Sequence, residues 1–131
     1  MKIVKLNQTQ KFQNSATCTA FEYPSDDKDI NGAVITLNGR YPEKGYAMNE
    51  VCKELVYVVE GTGQLTVGDE TQTLQQGDLA LLLPGEKYFF EGELTMFMPC
   101  SPAWYPEQHK SLIHRSHPAL DSAANFSRYA F

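Results

Sequence analysis

Glu54-Leu55-Val56-Tyr57-Val58-Val59-Glu60-Gly61 and, fifteen residues further on, Gly77-Asp78-Leu79-Ala80-Leu81-Leu82-Leu83-Pro84-Gly85-Glu86-Lys87-Tyr88 are the stretches on which the reading of this chain turns. Each is a short run of β-branched, aromatic and leucine side chains that stops at glycine or proline, which is how a strand bounded by turns reads. Outward from them the rhythm repeats. Ala33–Leu37 ends at Asn38-Gly39, and Gln64–Val67 meets Thr71–Leu74 across Gly68-Asp69. Lys87–Glu91 halts at Gly92, and Leu94–Met98 at Pro99. Seven or eight short strands with turn signals every ~8–12 residues predict an antiparallel sandwich or small barrel. Between Ala33 and Cys100 no long stretch carries the i, i+3, i+4 repeat of an amphipathic helix.

The flanks read differently. Residues 1–32 are polar and weakly patterned, with a loop at Tyr23-Pro24-Ser25-Asp26-Asp27. Ser101-Pro102 resembles a helix start, and Glu107–Arg115 predicts a short helix that His117-Pro118 ends. The last dozen residues read as loosely held, with Phe126, Tyr129 and Phe131 as docking side chains. At 131 residues the chain fits one domain: a barrel over about 33–100, an N-terminal arm over 1–32 and a tail over 101–131.

Composition narrows the function classes. Eleven Lys and Arg against sixteen Asp and Glu give a net charge of −5, with no basic stripe to neutralise phosphates. Nucleic acid and anionic membranes are therefore excluded as expected partners. No run approaches the ~18 apolar residues of a membrane span, and the N-terminus has no apolar leader segment. Cys18, Cys52 and Cys100 are odd in number and widely spaced, which makes no disulfide framework. A cytoplasmic protein is the expectation.

Glu54 with Gly61, then Gly77-Asp78 with Gly85, resembles the two motifs of the cupin superfamily, usually written G-x5-H-x-H-x3/4-E-x6-G and G-x5-P-x-G-x2-H. Pro84 stands one place after the proline slot, which Leu83 fills. The resemblance implies an all-β fold, an antiparallel cupin barrel or jelly roll with a short helical or irregular C-terminal tail. It implies that Glu54 takes the position of the motif's metal-binding carboxylate. The second motif's histidine falls on Tyr88. The histidine pair falls on Met48 and Glu50 if the gap is three, or on Ala47 and Asn49 if it is four. No histidine remains at any of them. Cupins of this size also form dimers through edge strands or an exchanged N-terminal arm, so a homodimer is expected.

A site without its histidines leads to a metal-free expectation. Should a divalent ion (Mn, Fe, Ni or Zn) bind, Glu50 and Glu54 would hold it, since residues an even number apart share a strand face. Such a carboxylate pair suits a hard ion (Mn, Mg or Ca) best. His109 is the tail histidine placed to add a ligand, whereas His109, His114 and His117 otherwise read as solvated surface residues. The expected cavity lining is Tyr46, Met48, Glu50, Val56, Phe90, Met96 and Met98, in phase with Glu54 and Tyr88. Tyr41, Tyr46, Trp104 and Tyr105 predict an aromatic rim, with Arg40 near the mouth to meet a ligand carboxylate or to be tied up in structure. Cys52, flanked by carboxylates, is not a nucleophile on this reading.

Two functions from different classes follow. One is a barrel that binds a small molecule without a metal. The other is an isomerase, epimerase or lyase acting on a sugar or small acid, with Glu54 and Tyr88 as the proton-transfer pair. A metal-dependent enzyme with atypical carboxylate ligands is the third and poorest fit to the residues.

Overall fold

A computed structural model describes residues 1–113. Among them nine strands run as β1 (Gln10–Ser15), β2 (Cys18–Tyr23), β3 (Asn31–Tyr41), β4 (Tyr46–Asn49), β5 (Lys53–Val67), β6 (Glu70–Gln75), β7 (Leu79–Leu82), β8 (Lys87–Ser101) and β9 (His109–Leu112). All pairings are antiparallel. The sheet path is β1-β2-β3-β8-β4-β9, with β5 joined to β6, β7 and β8, so the sheet curls on itself. This is the cupin-like antiparallel barrel, or jelly roll, that the motifs imply.

Two strands are longer than the sequence suggests. β5 runs through Gly61 and Gly63, and β8 through Gly92, fifteen residues each. These glycines mark a close approach within strands and not their ends. Gly63 and Gly92 lie opposite one another, and a Cβ on Gly92 would stand 2.5 Å from the Gly63 Cα. The pairing slips between Val58 and Glu60, and the buried positions of β5 change from even (Glu54, Val56, Val58) to odd (Leu65). One strand thereby serves both halves of the barrel.

Alternation places Ile35, Leu37, Val56, Val58, Phe90, Leu94, Met96 and Met98 inside, with Cys18 and Ala20 added from β2. The tail departs from expectation. Pro106–Gln108 is a single 3-10 turn, and His109–Leu112 is a strand on the open edge of β4 where a helix over Glu107–Arg115 was expected. That edge offers unpaired backbone groups, and pairing satisfies them. Gly45 lets the strand in: a Cβ there would sit 2.0 Å from the Leu112 carbonyl oxygen. His114, His117 and the aromatic positions Phe126, Tyr129 and Phe131 lie outside the described residues.

Candidate functional site

The interior is polar at one end. Glu54 on β5, Asn49 on β4, Tyr88 on β8 and His109 on β9 are each at most 2% exposed. Asn49 connects three of the strands. Its Nδ2 donates to Glu54 Oε1 at 2.6 Å, which leaves Oδ1 to accept from Gln108 Nε2 at 2.9 Å. His109 Nδ1 lies 2.9 Å from the same Oδ1, so Nδ1 carries the proton in this network. Gln108 in turn accepts from the Val51 and Cys52 backbone N–H groups at 3.2 and 3.1 Å, fixing the bend between β4 and β5. The His109 ring packs on Trp104, centroids 5.6 Å apart.

Glu54 Oε2 and the Tyr88 hydroxyl are buried and make no hydrogen bond among the described residues. Burial pushes the Glu54 carboxyl up to about 8, against a smaller downward pull from the Asn49 amide. Burial holds the Tyr88 phenol well above its ordinary range, with the nearby Glu54 and Tyr41 acting in the same direction. Tyr41 is raised by burial as well, then by Cys18 and Glu54. At neutral pH the cluster thus presents an uncharged carboxylic acid beside protonated phenols.

The three cysteines are buried free thiols. Burial raises all of them, Cys18 to about 12. Cys52 therefore lacks the thiolate that a nucleophile requires.

Several sequence-predicted residues stand elsewhere. The inward positions of β4 are Ala47 and Asn49, so Tyr46 and Met48 do not line the interior. Tyr46 instead packs edge-on against Phe89, centroids 5.4 Å apart. Glu50 is exposed and 3.9 Å from Lys110 Nζ. The parity argument for Glu50 and Glu54 fails because residues 50–52 form a bend between two strands. A carboxylate pair at the site is thus replaced by Asn49 with Glu54. Arg40 does not face a ligand: Nη1 and Nη2 donate to the Pro42 and Gly45 carbonyls at 2.6 and 3.1 Å, and the guanidinium sits 3.9 Å above the Phe89 ring. Tyr41 and Trp104 are buried, while Tyr105 alone of the predicted rim is well exposed. His109 is interior, contrary to its surface reading. The structure does bring Glu54, Tyr88, Val56, Phe90, Met96 and Met98 into one interior.

Among the described residues no group of three or more His, Cys, Asp and Glu is arranged to hold a metal ion. The polar groups that face the interior at this end are the Asn49 amide, the Glu54 carboxyl, the Tyr88 phenol and the His109 imidazole. Among the described residues no helix is long and apolar enough to cross a membrane.

The comparisons agree with this fold. Residues 32–119 match the model of the AraC-like ligand binding domain. Among curated proteins none matches the sequence. Among solved structures the chain is similar to Streptomyces Pac13, described as a nucleoside dehydratase, at 16% identity and a TM-score of 0.79, covering 88% of this chain and 94% of that one. It is similar to ectoine synthase from P. lautus at 16% identity and TM-score 0.66, covering 89% and 94%. An RmlC-like cupin from Shewanella frigidimarina aligns at 19% identity and TM-score 0.62, covering 74% and 86%.

Proposed function

We propose a function that proceeds from the family: the chain belongs to the AraC-like ligand-binding domains, of cupin type, and the Glu54–Tyr88 end of its barrel binds a small uncharged molecule. One observation carries this reading. Glu54 Oε2 and the Tyr88 hydroxyl are buried polar atoms with no hydrogen-bond partner among the described residues, each costing about 1–3 kcal/mol while unmatched. A ligand hydroxyl or carbonyl would satisfy both. The charge state selects the class: neither the carboxylic acid nor the phenols neutralise an anion, and Arg40 is spent on backbone carbonyls. The ligand is therefore a neutral, hydroxyl-bearing molecule, of sugar or nucleoside type, and not the small acid that the sequence left open.

The test is a thermal-shift screen with uridine, which appears with the structural neighbour Pac13, alongside neutral pentoses, hexoses and polyols, with phosphorylated sugars and dicarboxylates as the contrast set. The expected result is stabilisation by a neutral probe that Glu54→Gln and Tyr88→Phe each reduce. Stabilisation by the anions alone would contradict the reading.

A second reading is supported by the raised Glu54 carboxyl together with the dehydratase among the neighbours. Protonated Glu54 would give its proton to a hydroxyl that leaves as water when its C–O bond breaks, and the carboxylate so formed would take the proton of the adjacent carbon as the double bond forms, with Tyr88 orienting the substrate. A rate that falls as pH rises through about 8, with that limb abolished in Glu54→Gln, is the signature of this chemistry. Binding without turnover leaves the first reading alone.

A further inference from the structure

Hydrogen bonds have a direction, and around Glu54 each direction is set from the backbone inward. The Val51 and Cys52 N–H groups can only donate, and both reach Gln108 Oε1, at 3.2 and 3.1 Å. That atom is therefore the carbonyl end of the amide, and Nε2 is the end that meets Asn49 Oδ1 at 2.9 Å. Oδ1 also receives His109 Nδ1, so Nδ2 is the end turned to Glu54 Oε1, at 2.6 Å. Neither amide can flip without setting donor against donor or acceptor against acceptor.

Glu54 Oε1 thus accepts. The carboxyl is fully buried, and among the described residues it forms no ion pair, which keeps it undissociated at neutral pH. In an undissociated acid the carbonyl oxygen is the better acceptor, so it takes the place beside Asn49 and the proton goes to Oε2. Oε2 then meets the interior as an O–H donor. The Tyr88 phenol, held protonated by burial, is a second O–H, and its ring meets Phe90 edge-on with centroids 5.6 Å apart. Val56, Phe90, Met96 and Met98 share this interior, and their side chains hold no oxygen or nitrogen. A carbonyl oxygen has two lone pairs and no proton, and can accept from both donors. A hydroxyl oxygen that accepts from both still carries a proton of its own, and these apolar walls leave it unmatched.

We propose that Glu54 Oε2 and the Tyr88 hydroxyl form a two-donor seat for a carbonyl oxygen, with Asn49 as the positioning residue that turns the proton of the acid into it. This rests on the reading of this end of the barrel as a site for a neutral ligand. It narrows that ligand to one presenting a carbonyl there, such as a ketose or a nucleoside whose base carries a ring carbonyl.

The test titrates two matched pairs of probes into the wild-type protein by NMR: cyclohexanone with cyclohexanol, and dihydroxyacetone with glycerol. Each ketone should bind about tenfold more tightly than its alcohol. The infrared carbonyl stretch of bound, isotope-labelled cyclohexanone should lie below its position in water. Glu54→Gln should weaken binding and keep the preference for the ketone, because Asn49 Nδ2 holds that amide by its oxygen and turns its amino group into the seat. Tyr88→Phe and Asn49→Ala should each cut the preference to roughly threefold or less. A merely structural part for Asn49 would weaken ketone and alcohol alike and leave their ratio unchanged. The wild-type ratio, the carbonyl stretch and Glu54→Gln decide the matter should Asn49→Ala fail to fold. Equal binding of ketone and alcohol, a stretch at its position in water, or an unchanged ratio in folded Asn49→Ala would overturn the inference and leave the neutral-ligand reading standing. Binding by none of the four probes would overturn both.

Discussion

At one end of the barrel the inner and outer faces of the sheet depart from the usual partition of polarity. Inside, Glu54, Asn49, Tyr88 and His109 are cut off from water. Outside, on the neighbouring positions of the same strands, Leu55, Tyr57, Val59 and Phe97 are exposed. The sharpest case is the pair of glutamates. Glu54 is buried, hydrogen-bonded by an amide and raised to about 8, while Glu50 meets water and Lys110. What separates them is the bend at 50–52, which Gln108 fixes through two backbone hydrogen bonds. Burying a polar group without a partner costs free energy, which on the proposed reading a ligand inside the barrel offsets.

The comparison breaks most visibly under pH. In the unfolded chain Glu54 ionises near 4.5, and in the folded chain near 8. Between these values the folded state holds a proton that the unfolded state has lost. This contribution to stability is fully present below pH 4.5, falls as pH rises and levels off above about 8. The swing is on the order of 4 kcal/mol. Urea melts of wild type and Glu54→Gln across pH 5–9 should show the decline in the first and a flat profile in the second over that window. Parallel profiles would remove the basis for a neutral buried acid.

Next in size is Asn49→Leu, which removes the amide's hydrogen bonds with Glu54, Gln108 and His109 and should cost about 3 kcal/mol in the same melts. A loss below ~1 kcal/mol would mean that the network is incidental. Arg40→Met removes two hydrogen bonds to carbonyls and the contact over Phe89. It should cost about 1–2 kcal/mol without changing ligand affinity, which isothermal titration checks. Tyr88→Phe sharpens the comparison from the other side. Its hydroxyl has no partner, so the substitution should leave stability unchanged or raise it by up to about 1 kcal/mol while weakening ligand binding roughly tenfold. The smallest effect belongs to the outer glutamate: Glu50→Gln breaks a half-exposed ion pair and should move stability by less than ~0.5 kcal/mol.

Much of this was legible in the chain itself. Glycine punctuation with the Glu54, Gly77 and Gly85 spacing predicts a cupin barrel, and alternation about Glu54 and Tyr88 identifies the inward residues of β5 and β8. Strand parity holds only while a strand is continuous, however, and the bend at 50–52 turns Glu50 out to water, while Asn49, the position given by the motif's longer gap, lies inside. His109 reads as solvated in the sequence because helical periodicity says nothing about an open sheet edge about sixty residues earlier, at β4, that accepts a strand. The Gly63–Gly92 approach hid the length of β5 and β8, since a glycine in a close crossing and a glycine in a turn look alike in sequence.

The central claim is that Glu54 is a neutral acid waiting inside the barrel for a ligand. It is tested most directly by following the Glu54 side-chain carboxyl carbon by NMR as pH is raised, with Glu54→Gln identifying the resonance. The account predicts a midpoint near 8. A midpoint near 4.5, the ordinary value, would mean that the carboxyl is solvated and charged, and would contradict it.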